Sequence, residues 1–354
     1  MENDLFVVAS VIAKGASGDI ERVKGTEGSF QGQVYARKLL KLPARKSIAR
    51  ADMTHRIETV VNTFKPVRHD HVLRIVTTYS FKDFYAIIMD PLADMDLRQY
   101  LQIEETPQAR EKISRWFGCL ISGLAFLHDM GIKHGDIKPS HVLIKNDAVL
   151  LTVSSTNGQW RDTSRSTTTN RHSITTIYIA PEVLEGYEQG SKGDIFSLGA
   201  VFLEMFIVGS HSQRIEELER FKYSGRIDTT RMDALSQTPD KLPWHSTVAR
   251  LCAEMLQVNP NDRPKAGDLR LWWSYQPLTV LPWTPCKCSL AASGTDHWSP
   301  ARIKDALETA REKDYAMSIE LLSGNSAERG SKKILSAFKG LLRRSRVIVP
   351  RPPS

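Results

Sequence analysis

The chain has 354 residues, of which 41% are hydrophobic, and a formal net charge of +8 at pH 7. That length admits one large domain with an extension, or two domains, and the apolar fraction is enough for a sizeable core. No run of about 18 apolar residues occurs, so no transmembrane helix is expected. The four cysteines, Cys119, Cys252, Cys286 and Cys288, are too few and too irregularly spaced for a disulfide framework. Cys286-Lys287-Cys288 resembles half of a metal site but lacks a second close Cys or His pair, so free thiols are expected. The start, Met1-Glu2-Asn3-Asp4, has no signal-peptide pattern. An intracellular setting, cytoplasmic or nuclear, is expected.

In chain order, Leu5 to Ile12 is apolar and reads as a strand. Lys14-Gly15-Ala16-Ser17-Gly18 reads as a flexible turn, and Ile20 to Val23 as the returning strand. Gln33 to Leu40 alternates as a strand and carries Lys38. Arg56 to Phe64 places Ile57, Val60, Val61 and Phe64 at helical spacing. Thr77 to Tyr79 and Tyr85 to Met89 read as a hairpin, followed by Asp90-Pro91-Leu92. Residues 108–131 form a strong amphipathic helix pattern through Ile113, Trp116, Phe117, Leu120, Ile121, Leu124 and Leu127, with Gly131 as its C-cap. Then comes His134-Gly135-Asp136-Ile137-Lys138-Pro139-Ser140-His141, running into short strands at Val142-Leu143-Ile144 and Val149-Leu150-Leu151-Thr152. A Ser- and Thr-rich stretch over 154–177 ends in Tyr178-Ile179-Ala180-Pro181-Glu182. Asp194-Ile195-Phe196-Ser197-Leu198-Gly199 opens a helix whose continuation to Val208 is almost wholly apolar, as befits a core helix. Another amphipathic helix is expected over 246–256, before Asn259-Pro260-Asn261-Asp262-Arg263-Pro264.

Taken singly these motifs are weak: Lys38 reads as a solvated strand lysine and Glu58 as an exposed helical glutamate. In this order they resemble the protein kinase family. That resemblance implies an α+β, bilobal fold over 1–275, with a small antiparallel β-sheet lobe to about residue 89 and a larger, mainly helical lobe over about 93–275. It implies roles as well. Gly15 and Gly18 would cover nucleotide phosphates, Lys38 would contact the α- and β-phosphates, and Glu58 would pair with Lys38. Met89 is the gatekeeper, the backbone of Asp90 and Leu92 would face the adenine edge, and Asp96 would lie near the ribose. Asp136 is the candidate catalytic base, with Lys138 two residues on. Ala180-Pro181-Glu182 closes the activation segment, and Arg263 would pair with Glu182.

Departures from the family pattern carry the functional reading. Ala13 and Gly135 replace a glycine and an arginine. His141 stands where the family has a metal-binding Asn, and Val153-Ser154-Ser155 where it has D-F-G. Magnesium prefers hard oxygen ligands; valine offers none, imidazole is a poor substitute, and the Ser155 hydroxyl is neutral. With Gly135 in place of the relaying arginine, phosphorylation at Thr167, Thr168 or Thr169 would lack its usual coupling to the loop. The expectation is a pseudokinase acting as a scaffold or regulator, binding ATP weakly and Mg2+ not at all. The alternative is a noncanonical active Ser/Thr protein kinase, with Asp147 or Asp162 entering the metal site.

Beyond residue 275 the resemblance ends. Residues 276–330 read as a linker with a helical extension over 301–322. Residues 331–354 read as a basic tail with an amphipathic helix over 332–346. Lys332, Lys333, Lys339, Arg343, Arg344, Arg346 and Arg351 give this tail +7 with no acidic residue, leaving +1 for the rest of the chain. Protein partners are expected. The tail suits a docked terminal helix, an anionic membrane surface, a calmodulin-like partner or a nuclear import receptor. Nucleic acid is not favoured, since aromatics for base stacking are scarce there.

Overall fold

A computed structural model describes residues 5–14, 18–102, 107–153, 177–210, 222–223, 226–227 and 245–274. Five strands come from its first part: β1 (Phe6–Ala13), β2 (Asp19–Gly25), β3 (Val34–Lys41), β4 (Arg74–Phe81) and β5 (Phe84–Asp90). They form one antiparallel sheet in the order β1-β2-β3-β5-β4. Between β3 and β4 runs helix α1 (Ile48–Phe64), capped by Ser47, whose side chain accepts from the Arg50 N–H at 3.1 Å. This helix begins a full two turns before the pattern at Arg56 suggested. Its buried face is Ile57, Val60, Val61 and Phe64, each burial contributing about 1.5–3 kcal/mol.

Strand alternation decides which way the β3 side chains point. Ala36, Lys38 and Leu40 share one face, and Ala36 and Leu40 belong to the main core together with the α1 residues. Tyr35 and Arg37 share the other, where Phe6, Val23, Tyr35 and Ile88 form a second small core topped by Phe30 and Tyr79. Arg37 is buried there, with its guanidinium bound by Glu21 at 2.7–2.8 Å and by the Tyr79 hydroxyl oxygen at 2.8 Å. A one-residue slip of β3 would exchange the two faces and send Lys38 to the wrong side.

The second part is mainly helical. Strand β6 (Met95–Asp96) leads into α2 (Leu97–Tyr100), and α3 (Pro107–Asp129) follows. Strands β7 (Val142–Lys145) and β8 (Ala148–Leu151) make a hairpin whose turn residues Asn146 and Asp147 both have positive φ, 46° and 67°, as tight hairpin turns require. Strand β6 pairs with β7, Met95 opposite Ile144 and Asp96 opposite Leu143. Next come α4 (Pro181–Leu184), α5 (Ser191–Ser210), the two-residue strands β9 (Lys222–Tyr223) and β10 (Arg226–Ile227), α6 (His245–Met255) and α7 (Ala266–Ser274). Helix α5 is buried nearly all round, from Ile195 to Val208. It packs against α3 and α6, and α3 also packs against α7. Cys119 and Cys252 are buried, and neither forms a disulfide among the described residues.

The two parts are joined at Asp90-Pro91-Leu92 and again through the segment after α1. There the Leu73 N–H donates to the Leu151 carbonyl at 2.8 Å, and the Leu151 N–H to the His71 carbonyl at 2.9 Å. The small antiparallel sheet lobe and larger helical lobe are thus present as the sequence implied. Helices α2 and α7 and the short β9–β10 hairpin were not foreseen. The linker at 276–330, Cys286, Cys288, the 301–322 helix and the 332–346 helix lie outside the described residues. Among the described residues no helix is long and apolar enough to cross a membrane.

Candidate active site

The loop between α3 and β7 is held from beneath by one carboxylate. Asp194, in the first turn of α5, is fully buried. Its Oδ2 accepts from the His134 N–H at 2.8 Å and lies 3.0 Å from His128 Nε2; its Oδ1 accepts from the Gly135 N–H at 2.8 Å. Gly135 sits at φ +79°, a conformation that side chains strain and glycine does not. From above, the buried His134 ring hangs on the Thr152 carbonyl at 2.9 Å through Nε2, and its Nδ1 accepts from the Asp136 N–H at 3.3 Å. Burial lowers the His134 pKa, keeping the ring neutral.

The loop so fixed presents Asp136 and Lys138 together. Lys138 Nζ donates to Asp136 Oδ2 at 3.1 Å, a half-buried ion pair. His141 Nδ1 lies 2.8 Å from the Asp136 main-chain carbonyl and 3.2 Å from Asp136 Oδ2. A carbonyl only accepts, so Nδ1 carries the proton and Nε2 the lone pair. Burial, against the pull of Asp136, lowers the His141 pKa to about 4. His141 is therefore a neutral imidazole that ties the loop back on itself. Thr152 completes the tie, its N–H donating to the His141 carbonyl at 3.0 Å.

Lys38 faces this loop across the cleft. Burial lowers its pKa, Asp136 raises it and Lys138 lowers it further, so the three charges share one electrostatic neighbourhood. Gly18 sits at φ +111°, and a Cβ there would fall 2.5 Å from the Leu39 carbonyl oxygen. Only glycine lets the β1–β2 hairpin lie this close to β3 beside Lys38. Gly15 lies outside the described residues. Met89 is buried at the end of β5, opposite Ala36. Asp90 pairs with Arg74 at 2.6 Å. Leu92 packs against the core, and its main-chain N–H and carbonyl have no hydrogen-bond partner among the described residues. Asp96 is the N-cap of α2: its Oδ1 accepts from the Gln99 N–H at 2.8 Å, and Gln99 Oε1 accepts from the Asp96 N–H at 3.0 Å.

One expectation fails. Glu58 is exposed on the outer face of α1, and among the described residues no ion pair joins it to Lys38. Its neighbour Ile57, 1% exposed, occupies the inward position instead. The helical spacing already put Ile57, Val60 and Val61 on the core face, and position 58 lies about 100° round from 57.

Two further expectations concern acidic groups. Asp147 lies on the β7–β8 turn, 68% exposed and bound to Lys112 at 2.7 Å, with its carbonyl accepting from the Trp116 ring N–H at 2.8 Å. Asp162, Ser155 and Thr167 to Thr169 fall outside the described residues. Val153, at the end of the described stretch, is half-buried and packed against the main core. Among the described residues no three His, Cys, Asp or Glu side chains converge as a metal-binding group.

Farther down, Arg263 is 1% exposed. It grips Glu182 through two parallel bonds of 2.6 and 2.7 Å, donates to the carbonyls of Gln257, Lys192 and Val258, and stacks on Phe196. The expected pair is present. Tyr178, before Ala180-Pro181-Glu182, donates its hydroxyl to Glu204 at 2.5 Å, and burial together with that carboxylate pushes its pKa far up. The part played by Asp194 was missed: an ionisable residue opening a helix otherwise apolar all round was the signal that buried donors await it.

A small five-stranded lobe, a helical lobe and a cleft loop carrying Asp136 and Lys138 beneath Lys38 define a kinase-type fold. A family model for the protein kinase domain matches residues 6–270, and the chain belongs to the protein kinase family. It is similar to the serine/threonine-protein kinase PkaA of Streptomyces coelicolor, 25% identical over 272 residues, covering 75% of this chain and 48% of that protein. It is also similar to the cell division control protein 2 homolog 1 of Trypanosoma brucei brucei, 25% identical over 251 residues, covering 67% of this chain and 80% of that one. A shorter stretch is 41% identical over 154 residues to the eukaryotic translation initiation factor 2-alpha kinase 1 of Plasmodium falciparum, covering 42% of this chain and 9% of that protein. The chain spans less than half the length of the first of these relatives.

Proposed function

We propose that this protein kinase domain is a pseudokinase: a scaffold or regulator with impaired phosphotransfer, holding ATP weakly and without magnesium. The observation that carries the reading is Val153, a half-buried aliphatic side chain where the family has its metal-binding Asp. His141 supports it, because its Nδ1 proton is committed to the Asp136 carbonyl and it offers no hard oxygen. Magnesium needs several such oxygens in a near-octahedral shell, so this donor set does not fit the ion.

The residues that fit a nucleotide are Lys38 opposite the phosphates, Gly18 under the hairpin, and the main-chain groups of Leu92 at the adenine edge, which have no hydrogen-bond partner among the described residues. Glu58, turned outward, is not the group that orients Lys38, which accords with weak binding. ATP supplies the γ-phosphoryl group in this family. Here the retained parts are the Asp136 carboxylate and the Lys138 ammonium held against it.

That pair motivates a second reading, a noncanonical active Ser/Thr kinase. It needs an acidic group from elsewhere, and Asp147, exposed and tied to Lys112, is not one; Asp162 is the remaining candidate. A phosphotransfer assay of the full chain with magnesium and with manganese separates the two. No phosphate incorporation above that of Asp136→Ala is expected. Robust incorporation abolished by Asp136→Ala overturns the pseudokinase reading.

The basic segment 332–346, expected from its sequence to be an amphipathic helix, belongs to the same proposal as a candidate attachment site, either to an anionic membrane or to a calmodulin-like protein. Sedimentation of the full chain and of a chain ending at Gly330 with anionic liposomes tests the membrane reading. Loss of binding on truncation is expected; equal binding, or none, contradicts it.

A further inference from the structure

A cavity of about 400 Å³ opens where the segment after α1 meets Asp90-Pro91 and the β7–β8 hairpin. Neither Lys38 nor Asp136 nor Lys138 lines it, so it is separate from the candidate active site. Its size suits a small molecule, and joints between domains are common places for such sites. Val72 and Leu150, both buried, form the apolar part of its wall together with Pro91 and Ala148. His69 is a fixed part of the wall: its Nε2 lies 3.2 Å from Ser122 Oγ, and its ring packs on Phe126 with centroids 5.0 Å apart.

The charges of the lining select the ligand. Two of its cations are already answered: Arg74 pairs with Asp90 at 2.6 Å, and Lys145 with Asp94 at 2.7 Å. Arg68 and Asp70, on either side of His69, are the lining charges left open. Among the described residues no carboxylate pairs with Arg68 and no cation with Asp70. Arg68 is nonetheless held, its Nη1 donating to the carbonyls of Lys65 and Val67 at 2.7 Å each. Its remaining N–H groups are therefore presented with little further loss of freedom. One open cation and one open carboxylate call for a ligand with one charge of each sign; a phosphate or a simple carboxylate would meet Asp70 as a like charge. We propose that this cavity binds a free α-amino acid with an apolar side chain. The ligand's carboxylate accepts from Arg68, its ammonium donates to Asp70, and its side chain lies against Val72, Pro91 and Leu150.

Saturation-transfer NMR of the full chain titrated with L-phenylalanine tests this, beside two analogues that each lack one charge. Phenylalanine is expected to bind saturably. N-acetylphenylalanine and phenylalaninamide should each bind at least about fivefold more weakly, since each loses a hydrogen bond between charged groups. Two variants assign these penalties. In Arg68→Ala, phenylalanine and its amide should bind equally, while the N-acetyl penalty stays. In Asp70→Ala, phenylalanine and N-acetylphenylalanine should bind equally, while the amide penalty stays. Both side chains are exposed, so circular dichroism should be unchanged; if either alanine variant fails to fold, Arg68→Gln and Asp70→Asn carry the test. No binding of phenylalanine at millimolar concentration overturns the proposal. Penalties that neither variant removes overturn it equally, because the amino acid then sits elsewhere on the chain.

Discussion

Replacing Asp194 by Asn tests how the cleft loop is held. The carboxylate accepts four hydrogen bonds, from the His134 and Gly135 N–H groups at 2.8 Å, from His128 Nε2 at 3.0 Å and from Gln189 Nε2 at 3.4 Å, with no exposure to water. Hydrogen bonds to a charged group contribute about 1.5–3 kcal/mol each. Asparagine keeps one oxygen and turns an NH2 toward a main-chain donor, so at least one such bond becomes a donor–donor clash. The expected loss is about 2–4 kcal/mol. At roughly 2–4 °C per kcal/mol for a domain of this size, the melting temperature should fall by about 5–15 °C. Urea unfolding with an unchanged slope measures the loss, and faster hydrogen exchange at the Gly135 amide locates it in the loop. Asp83→Asn is the control: its ion pairs with Arg45 and Arg50 are at the surface, with Asp83 59% exposed, and should change stability by less than about 0.5 kcal/mol. If Asp194→Asn is as mild as that control, the clamp argument is wrong.

Other outcomes follow from the same geometry. Arg263→Ala removes one partner of a buried ion pair and should cost about 3–5 kcal/mol; with Glu182→Ala in the same chain the two losses should fall well short of additive, and strict additivity in a double-mutant cycle would count against the pairing. The pH dependence of stability should carry a His141 contribution. Its folded pKa is depressed to about 4, below the unfolded value of about 6.5, so the unfolded chain takes up the proton first. The stabilisation is complete above about pH 6.5 and is lost as pH falls through that range toward 4, by at most about 3 kcal/mol. His141→Asn should flatten that limb of the stability profile, and an unchanged slope would contradict the assignment.

Much of the fold was readable because its elements carry strong periodicity. The α3 pattern from Ile113 to Leu127 and the apolar run after Asp194 became core helices within a few residues of their expected limits. Lys38 is oriented by strand alternation, and Arg263 finds Glu182 as motif order implied. The failures have local causes. Glu58 is adjacent to the buried stripe of α1, and a single residue on a helix is a rotation of about 100°, enough to turn a cleft residue into a surface one. Ser47 caps α1 two turns ahead of its apolar stripe, because the first turns bury little and so leave no pattern. Asp96 reads as a ligand-facing acid, but its nearest physical task is to cap α2, a job visible only through Gln99 three residues on. The role of Asp194 depends on N–H groups about sixty residues away, which no local pattern reveals. Gly135 looks like a lost arginine in the sequence; in the structure its positive φ gives the glycine a backbone reason to be there.

The central claim, that Val153 and His141 leave no magnesium site, is tested most directly by nucleotide titration with and without magnesium. The full chain is melted against millimolar ATP, once with excess Mg2+ and once with chelator. A dissociation constant near 1 mM would raise stability by about 1 kcal/mol at about 5 mM ATP, or about 2–4 °C. The account predicts the same shift in both conditions and its loss in Lys38→Ala. A shift that magnesium strengthens tenfold or more would contradict it, because the metal would then have found ligands that this site is argued to lack.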